Sequence, residues 1–234
     1  LKNYKNIKMP SHLENKIEAT NTSIKNLLNK QKFYIDFFQR EYRWKSLHIS
    51  VLIADLTTKF LKSYNPTHRR QEVQHYENYY LGPVVFSVNK KEGKTSIIDG
   101  QQRITSITLL LIFLDQKQKN LEEKVAISDL IFSEKYGERS FNMTDESRTE
   151  CLKALNESGN YNPDQANNET SKNMAERYYD IERSFPEEID EQALPYFIDW
   201  LIENVVIVEI TAYSDDNAYT IFETMNDRGL NLTP

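Results

Sequence analysis

Three arginines share one kind of address in this chain: a neutral amide stands close by, and a regular element begins or ends there. Gln39-Arg40 follows an aromatic, β-branched run, Gln101-Gln102-Arg103 follows a second such run and opens a helix, and Asn226-Asp227-Arg228 lies in the loop where a later helix pattern stops. Strand ends and the loops beyond them tend to collect at ligand sites. The planar fork of arginine matches phosphate oxygens, and three such forks would offset the charge of a triphosphate. The amides of Gln39, Gln101, Gln102 and Asn226 suit phosphate, sugar or base edges, while Tyr42 and Trp44 could supply a stacking face. The commoner fate of any single arginine is a surface salt bridge, so a purely structural domain is the competing reading.

The central address is Ser96-Ile97-Ile98-Asp99-Gly100-Gln101-Gln102-Arg103-Ile104-Thr105. A β-branched strand stops at Gly100, and Ile104, Ile107, Thr108 and Leu111 then recur at helical spacing, with Leu110 and Leu114 widening the stripe. Asp99 and Gly100 stand where a helix cap and a tight turn are needed. Arg103 opposes the helix macrodipole from the first turn. A bound anion would reverse that penalty, because free backbone N–H groups and the guanidinium would address the same charge. Local physics leaves both readings of Arg103 open.

The surrounding elements follow from periodicity and breakers. Residues 1–20 read as a charged peripheral arm, and Thr22 or Ser23 caps a short helix bearing Ile24, Leu27 and Leu28. Phe33–Phe38 reads as a strand, and Ser46 caps a helix with Ile49, Leu52, Ile53, Leu56 and Phe60 on one face. Residues 63–78 read as a polar loop. Tyr79–Val88 and Thr95–Asp99 form a hairpin, with Pro83 marking an edge or a bulge. Residues 115–155 have helical character, 156–173 read as an Asn-rich loop, and Met174 to Phe185 and Ile189 to Ile202 mark two further helices. Val205–Ile210 is a central strand, and Asp215 or Asp216 caps a last helix that Gly229 ends. Gly93-Lys94-Thr95 resembles the tail of a P-loop, but Val88 stands where that pattern needs glycine, and a strand follows where it needs a helix.

Composition narrows the class. The 234 residues carry a net charge of −6, which argues against a dedicated, strongly basic nucleic-acid module while leaving room for a local basic site. Cys151 is the only cysteine, which rules out disulfides within the chain and suits the cytoplasm. No run approaches a membrane span and no signal-peptide pattern opens the chain, so no membrane partner is expected. His12, His48, His68 and His75 show no metal-ligand spacing, so nuclease chemistry is expected outside these residues. The start at Leu1 and the stop at Pro234, just after a motif, read as a piece of a longer protein.

Phe38-Gln39-Arg40-Glu41-Tyr42-Arg43-Trp44, Leu81-Gly82, Ile98–Thr105 and Ile221-Phe222-Glu223-Thr224-Met225-Asn226-Asp227-Arg228-Gly229-Leu230 occur in the order and spacing of one family. Over roughly residues 25–234 the chain resembles the N-terminal domain family of GmrSD-type (type IV, modification-dependent) restriction enzymes, whose GmrS portion has a ParB/sulfiredoxin-like fold. Two features depart from the family pattern: Asp36-Phe37 replaces the usual isoleucine-proline, and the Asn-rich insertion at 156–173 carries no family motif.

The resemblance implies an α+β domain with a small mixed sheet flanked by helices and a mostly helical second half. With the composition and periodicity above, the expected division is an arm over 1–24, a nucleotide-binding core over 25–115, a helical region over 116–204 with a flexible Asn-rich loop at 156–173, and a strand and helix over 205–234 that return to the core. The resemblance also implies binding and hydrolysis of a nucleoside triphosphate with Mg2+, regulating DNA cleavage in phage defence by an HNH-type nuclease domain C-terminal to this one or separate from it. On matching positions, Asp99 and Arg103 would be catalytic, with Gln39, Arg40, Tyr42, Trp44, Gly100, Gln101, Gln102, Thr105, Asn226 and Arg228 around the nucleotide. Asp99 would hold the metal or orient water, with a helix cap as its alternative role, and Glu223 is a weaker candidate for the metal or the water. A homo-oligomer fits the same scheme. The alternative function is a non-enzymatic module that binds DNA or senses a modified base through the same arginines.

Overall fold

From Ile104 to Leu114 every residue of the helix that follows Gly100 is buried. The expected one-sided stripe is therefore too narrow. A helix enclosed all round lies inside a fold, and the other elements are arranged about this one. The computed structural model describes residues 16–35, 41–90, 92–135, 137–144 and 146–230, with the backbone alone at 135, 144 and 227–230.

In chain order the elements are β1 (Ile17–Ser23), α1 (Ile24–Leu28), β2 (Phe33–Ile35), α2 (Ser46–Ser63), β3 (Tyr79–Asn89), β4 (Lys94–Asp99), α3 (Gln101–Lys117) and α4 (Ser128–Ile131). They continue with β5 (Phe132–Lys135), β6 (Glu138–Phe141), β7 (Met143–Thr144), α5 (Glu146–Ser158), α6 (Glu169–Ser184), α7 (Leu194–Asn204), β8 (Val205–Ala212) and α8 (Asp215–Leu230). The result is the α+β class read from the sequence: a mixed six-stranded sheet in the order β1-β8-β3-β4-β2-β7, with β5 and β6 paired separately. No helix among the described residues is long and apolar enough to cross a membrane.

Strand alternation divides the apolar residues between two layers. Val84, Phe86 and Ile97 join the large core beneath α1, α2, α3, α6 and α7. Val85 and Ile98 point to the other face, where Ala212, Ala218, Ile221, Phe222 and Met225 form a smaller cluster under α8. The carboxyl end of β4 therefore opens where the two layers meet.

Several sequence expectations change in tertiary context. The charged arm ends in an edge strand, because β1 pairs antiparallel with β8 from Ile17↔Ala212 to Ser23↔Val206. Pro83 is no edge residue: β3 lies between β8 and β4, and a register shift between Tyr80 and Gly82 makes this the bulge that proline tolerates. Lys45 takes the position expected of the Ser46 cap, and Ser214 Oγ accepts from Asn217 N–H ahead of Asp215. A 3₁₀ turn, Arg70–His75, lies inside the expected loop over 63–78. The stretch 115–155 holds a two-stranded sheet and β7 as well as helix. Gly229 does not stop α8, which runs on to Leu230. Residues 36–38 of the first expected strand lie outside the described residues.

The Asn-rich stretch 156–173 is not a loop throughout. It contains the end of α5, a 3₁₀ turn capped by Asn162, and the start of α6 capped by Asn168. Asn168 accepts from Ser171 N at 2.8 Å and donates Nδ2–H to the Ser147 carbonyl at 3.0 Å, tying α6 to α5. Asn168→Ala is expected to lower the unfolding free energy by about 1–2 kcal/mol, the cost of a lost N-cap, as measured by denaturant titration. An unchanged midpoint would mean that this segment contributes no ordered cap.

Candidate functional site

The turn from β4 into α3 depends on Gly100, whose φ of 90° and ψ of 5° place it in the left-handed region. A Cβ there would lie 2.9 Å from Val84 Cγ2. Gly100 is the N-cap and offers no side-chain acceptor, so the capping role expected of Asp99 does not hold: Asp99 is the last residue of β4. Ile104 N–H donates to the Gly100 carbonyl at 3.0 Å. The amides of Gln101, Gln102 and Arg103 precede it and have no acceptor within the helix.

These amides border a cleft of about 270 Å³ lined by Trp44, Ile98, Asp99, Gly100, Gln101, Gln102, Arg103 and Phe222. Arg103 Nη1 donates to the Pro83 carbonyl at 2.5 Å. The guanidinium lies against Gly82, where a Cβ would come within 3.0 Å of Arg103 Cζ. Gly82 has a φ of +117°, so the bulge at Gly82-Pro83 gives the arginine both its space and its acceptor. Among the described residues no carboxylate pairs with Arg103, so the salt-bridge reading does not account for it. Among the described residues Asp99 is the one acidic side chain lining the cleft. Gln101 Oε1 is buried without a hydrogen-bond partner among the described residues. Such an acceptor is costly to leave unmet unless a ligand supplies the donor.

The structure gathers Trp44, Asp99, Gly100, Gln101, Gln102 and Arg103 at one place and sets other candidates apart. Tyr42 is fully buried, its hydroxyl 2.8 Å from Ser106 Oγ and held above the usual phenol range mainly by burial, so it offers no stacking face. Thr105 is buried too. Its hydroxyl accepts from Arg148 Nη1 at 2.7 Å and lies 3.6 Å from Met143 Sδ, so it is spent within the core. Gln102 lines the cleft, but both ends of its amide are engaged. Nε2 donates to the Glu41 carbonyl and Oε1 accepts from Arg43 N–H, each at 2.8 Å. Trp44 is half-buried and stacked on His48 at 5.8 Å. Asn226 is exposed on α8, four residues beyond Phe222 and so on the same helical stripe. Glu223 is exposed on α8 outside the cleft lining. Gln39, Arg40 and the Arg228 side chain lie outside the described residues; the Arg228 backbone is helical where a loop is expected. No group of three His, Cys, Asp or Glu side chains that could hold a metal occurs among the described residues.

Some contributors are ones that the sequence reading does not assign to the site. Phe222 reads in the sequence as a core position of its helix, yet it closes the cleft opposite Trp44's layer. Thr170, Asn173 and Arg177 bond the backbone of residues 42–44 from α6, and their i, i+3, i+7 spacing is the signal that could have marked them.

The family model for the GmrSD restriction endonuclease, N-terminal domain, matches residues 24–234. No curated protein sequence matches the chain. The chain belongs to the GmrSD N-terminal domain family and thus to a restriction system.

The packing of Arg103 on Gly82 sets an expected outcome. Gly82→Ala should destabilise the fold by about 1–3 kcal/mol, through left-handed strain plus the collision with the guanidinium. In an Arg103→Ala background only the strain remains, so a double-mutant denaturation cycle should show a smaller cost. Equal costs in both backgrounds would mean that Gly82 does not seat Arg103.

Proposed function

We propose that, in this member of a restriction-endonuclease family, the cleft holds the phosphates of a nucleoside triphosphate, and that the domain hydrolyses it to regulate DNA cleavage by a nuclease domain. The observation that carries the reading is Arg103: a guanidinium without a carboxylate partner among the described residues, beside amides that have no intrahelical acceptor. Both point to an anion. Trp44 and Phe222 give the same cleft apolar walls against which a base could lie.

The roles divide by chemistry. Backbone N–H groups of Gln101–Arg103 bind phosphate oxygens, and Arg103 offsets the charge that builds on the transferred phosphoryl group. Gln101 Oε1, unmet among the described residues, accepts from a ligand N–H or O–H, or takes a place beside a cation. Asp99 orients the attacking water. A magnesium ion is usually held by one or two carboxylates together with substrate phosphates, and a single carboxylate with one spare amide oxygen fits that donor set. Bound there with the nucleotide, the ion would neutralise phosphate charge. Gln39, Arg40, Asn226 and Arg228 complete the proposed nucleotide shell. DNA is engaged through the full-length protein, in a restriction system that acts in phage defence.

The test is nucleotide binding by calorimetry and phosphate release with each ribonucleoside triphosphate and Mg2+. Arg103→Ala should weaken binding about tenfold to a hundredfold, the loss expected for charge-assisted hydrogen bonds at roughly 1.5–3 kcal/mol. Asp99→Asn should keep most of the binding and lose about a hundredfold in turnover, the usual scale for a positioned proton acceptor. A purified chain that neither binds nor hydrolyses any of them overturns the reading. Tight, salt-steep DNA binding without nucleotide would support the non-enzymatic alternative.

A further inference from the structure

We propose that α6 is the positioning frame of the cleft, and that Thr170, Asn173 and Arg177 act through residues 41–44 to hold Trp44 as its wall. Residues 41–45 form no helix or strand, yet the backbone of 41–44 is bound at five points, each time by a side chain. Glu41 O and Arg43 N are taken by Gln102 of α3. Thr170 Oγ1 accepts from Tyr42 N at 3.3 Å, Asn173 Nδ2 donates to Tyr42 O at 2.9 Å, and Arg177 Nη1 donates to Trp44 O at 3.2 Å. An irregular segment held this way has no ladder to set its register, so its placement is that of the helices that grip it.

The grip is itself fixed. Arg177 Nε donates to Asp180 Oδ2 at 2.5 Å and so anchors the gripping guanidinium, whereas Arg183, largely exposed, meets the other carboxylate oxygen from the solvent side and is no part of the grip. Asp180 is buried at 2% exposure, so this pair holds the Arg177 guanidinium in place from inside the fold. On the neighbouring stripe of α6, Met174, Tyr178 and Ile181 are buried in the main core, and the helix packs against α2, α3 and α5. A helix from the second half of the chain thereby determines where a cleft residue from the first half stands. None of its three gripping side chains lines the cleft, so they are positioning residues, not catalytic ones.

The two tryptophans make the test direct. Trp200 is fully buried and its Nε1 donates to the Glu77 carbonyl, whereas Trp44 is half-buried, so acrylamide quenching of the full chain reports on Trp44. In Thr170→Val/Asn173→Ala, quenching should rise and emission should shift to the red, without nucleotide present. Arg177→Lys, which keeps a cation beside Asp180 but loses the fork, should do the same to a smaller extent. Arg183→Ala touches the same carboxylate but not residues 41–44, and should leave quenching unchanged.

The nucleotide arm rests on the function proposed above: apparent Kd and KM should rise about tenfold in the double variant, with kcat preserved. Quenching that stays at the wild-type level, or rises equally in Arg183→Ala, overturns the positioning role whether or not nucleotide binds. Raised quenching with unchanged Kd and KM overturns it as a determinant of the site. If the unmodified chain binds no nucleotide while the double variant's quenching rises selectively, the nucleotide reading fails and the positioning of Trp44 stands.

Discussion

A left-handed glycine between a strand and a helix is the constraint on which this fold depends. At Gly100 the chain turns from β4 into α3 while pressed against Val84, and any side chain there would meet both a strained backbone and a neighbouring valine. Because the turn is this tight, α3 is enclosed from its first full turn, with every residue from Ile104 to Leu114 buried. Gly100 also has no side chain with which to cap α3, and the residues whose amides lack an acceptor within the helix, Gln101 to Arg103, line a cleft.

Around that turn, the cleft is assembled from parts that do little alone. The bulge at Gly82-Pro83 supplies space and a carbonyl for Arg103; α8, on the opposite face of the sheet, supplies Phe222; and the irregular segment 41–44 supplies Trp44. Gln102 ties α3 to the last of these parts, spending its amide on the backbone of residues 41 and 43. Among the described residues the Arg103 guanidinium is held by the Pro83 carbonyl, at the first turn of a helix whose leading amides have no acceptor within it, where a cation opposes the helix dipole.

Legibility followed the range of the interaction. The helices carrying Ile49 to Phe60 and Ile104 to Leu114, the hairpin at Gly93 and the α+β class were readable, because periodicity and turn chemistry are written in consecutive residues. The Asn-rich stretch is a loop only between α5 and α6: Asn162 and Asn168 have loop composition but serve as caps, and a cap is visible only with the helix it starts. Tyr42 and Thr105 were misplaced because a motif shows which residues travel together, not which way each points. Tyr42 faces Ser106, and Thr105 faces Arg148, inside the core. Asp99 looked like a cap because it precedes a helix, yet the strand claims it and the glycine takes the cap position.

The family and the α+β class were legible in the chain alone, since motif order and hydrophobic period are properties of consecutive residues. Only the tertiary structure decided which members of the motifs face the cleft and which are spent on packing. It also decided that Gly82 and Pro83 seat Arg103, and that α6, more than a hundred residues downstream, grips the backbone beside Trp44. The reason is physical: a side chain's partner is set by which elements lie within hydrogen-bonding distance after the core has closed, and no spacing along the chain encodes that distance.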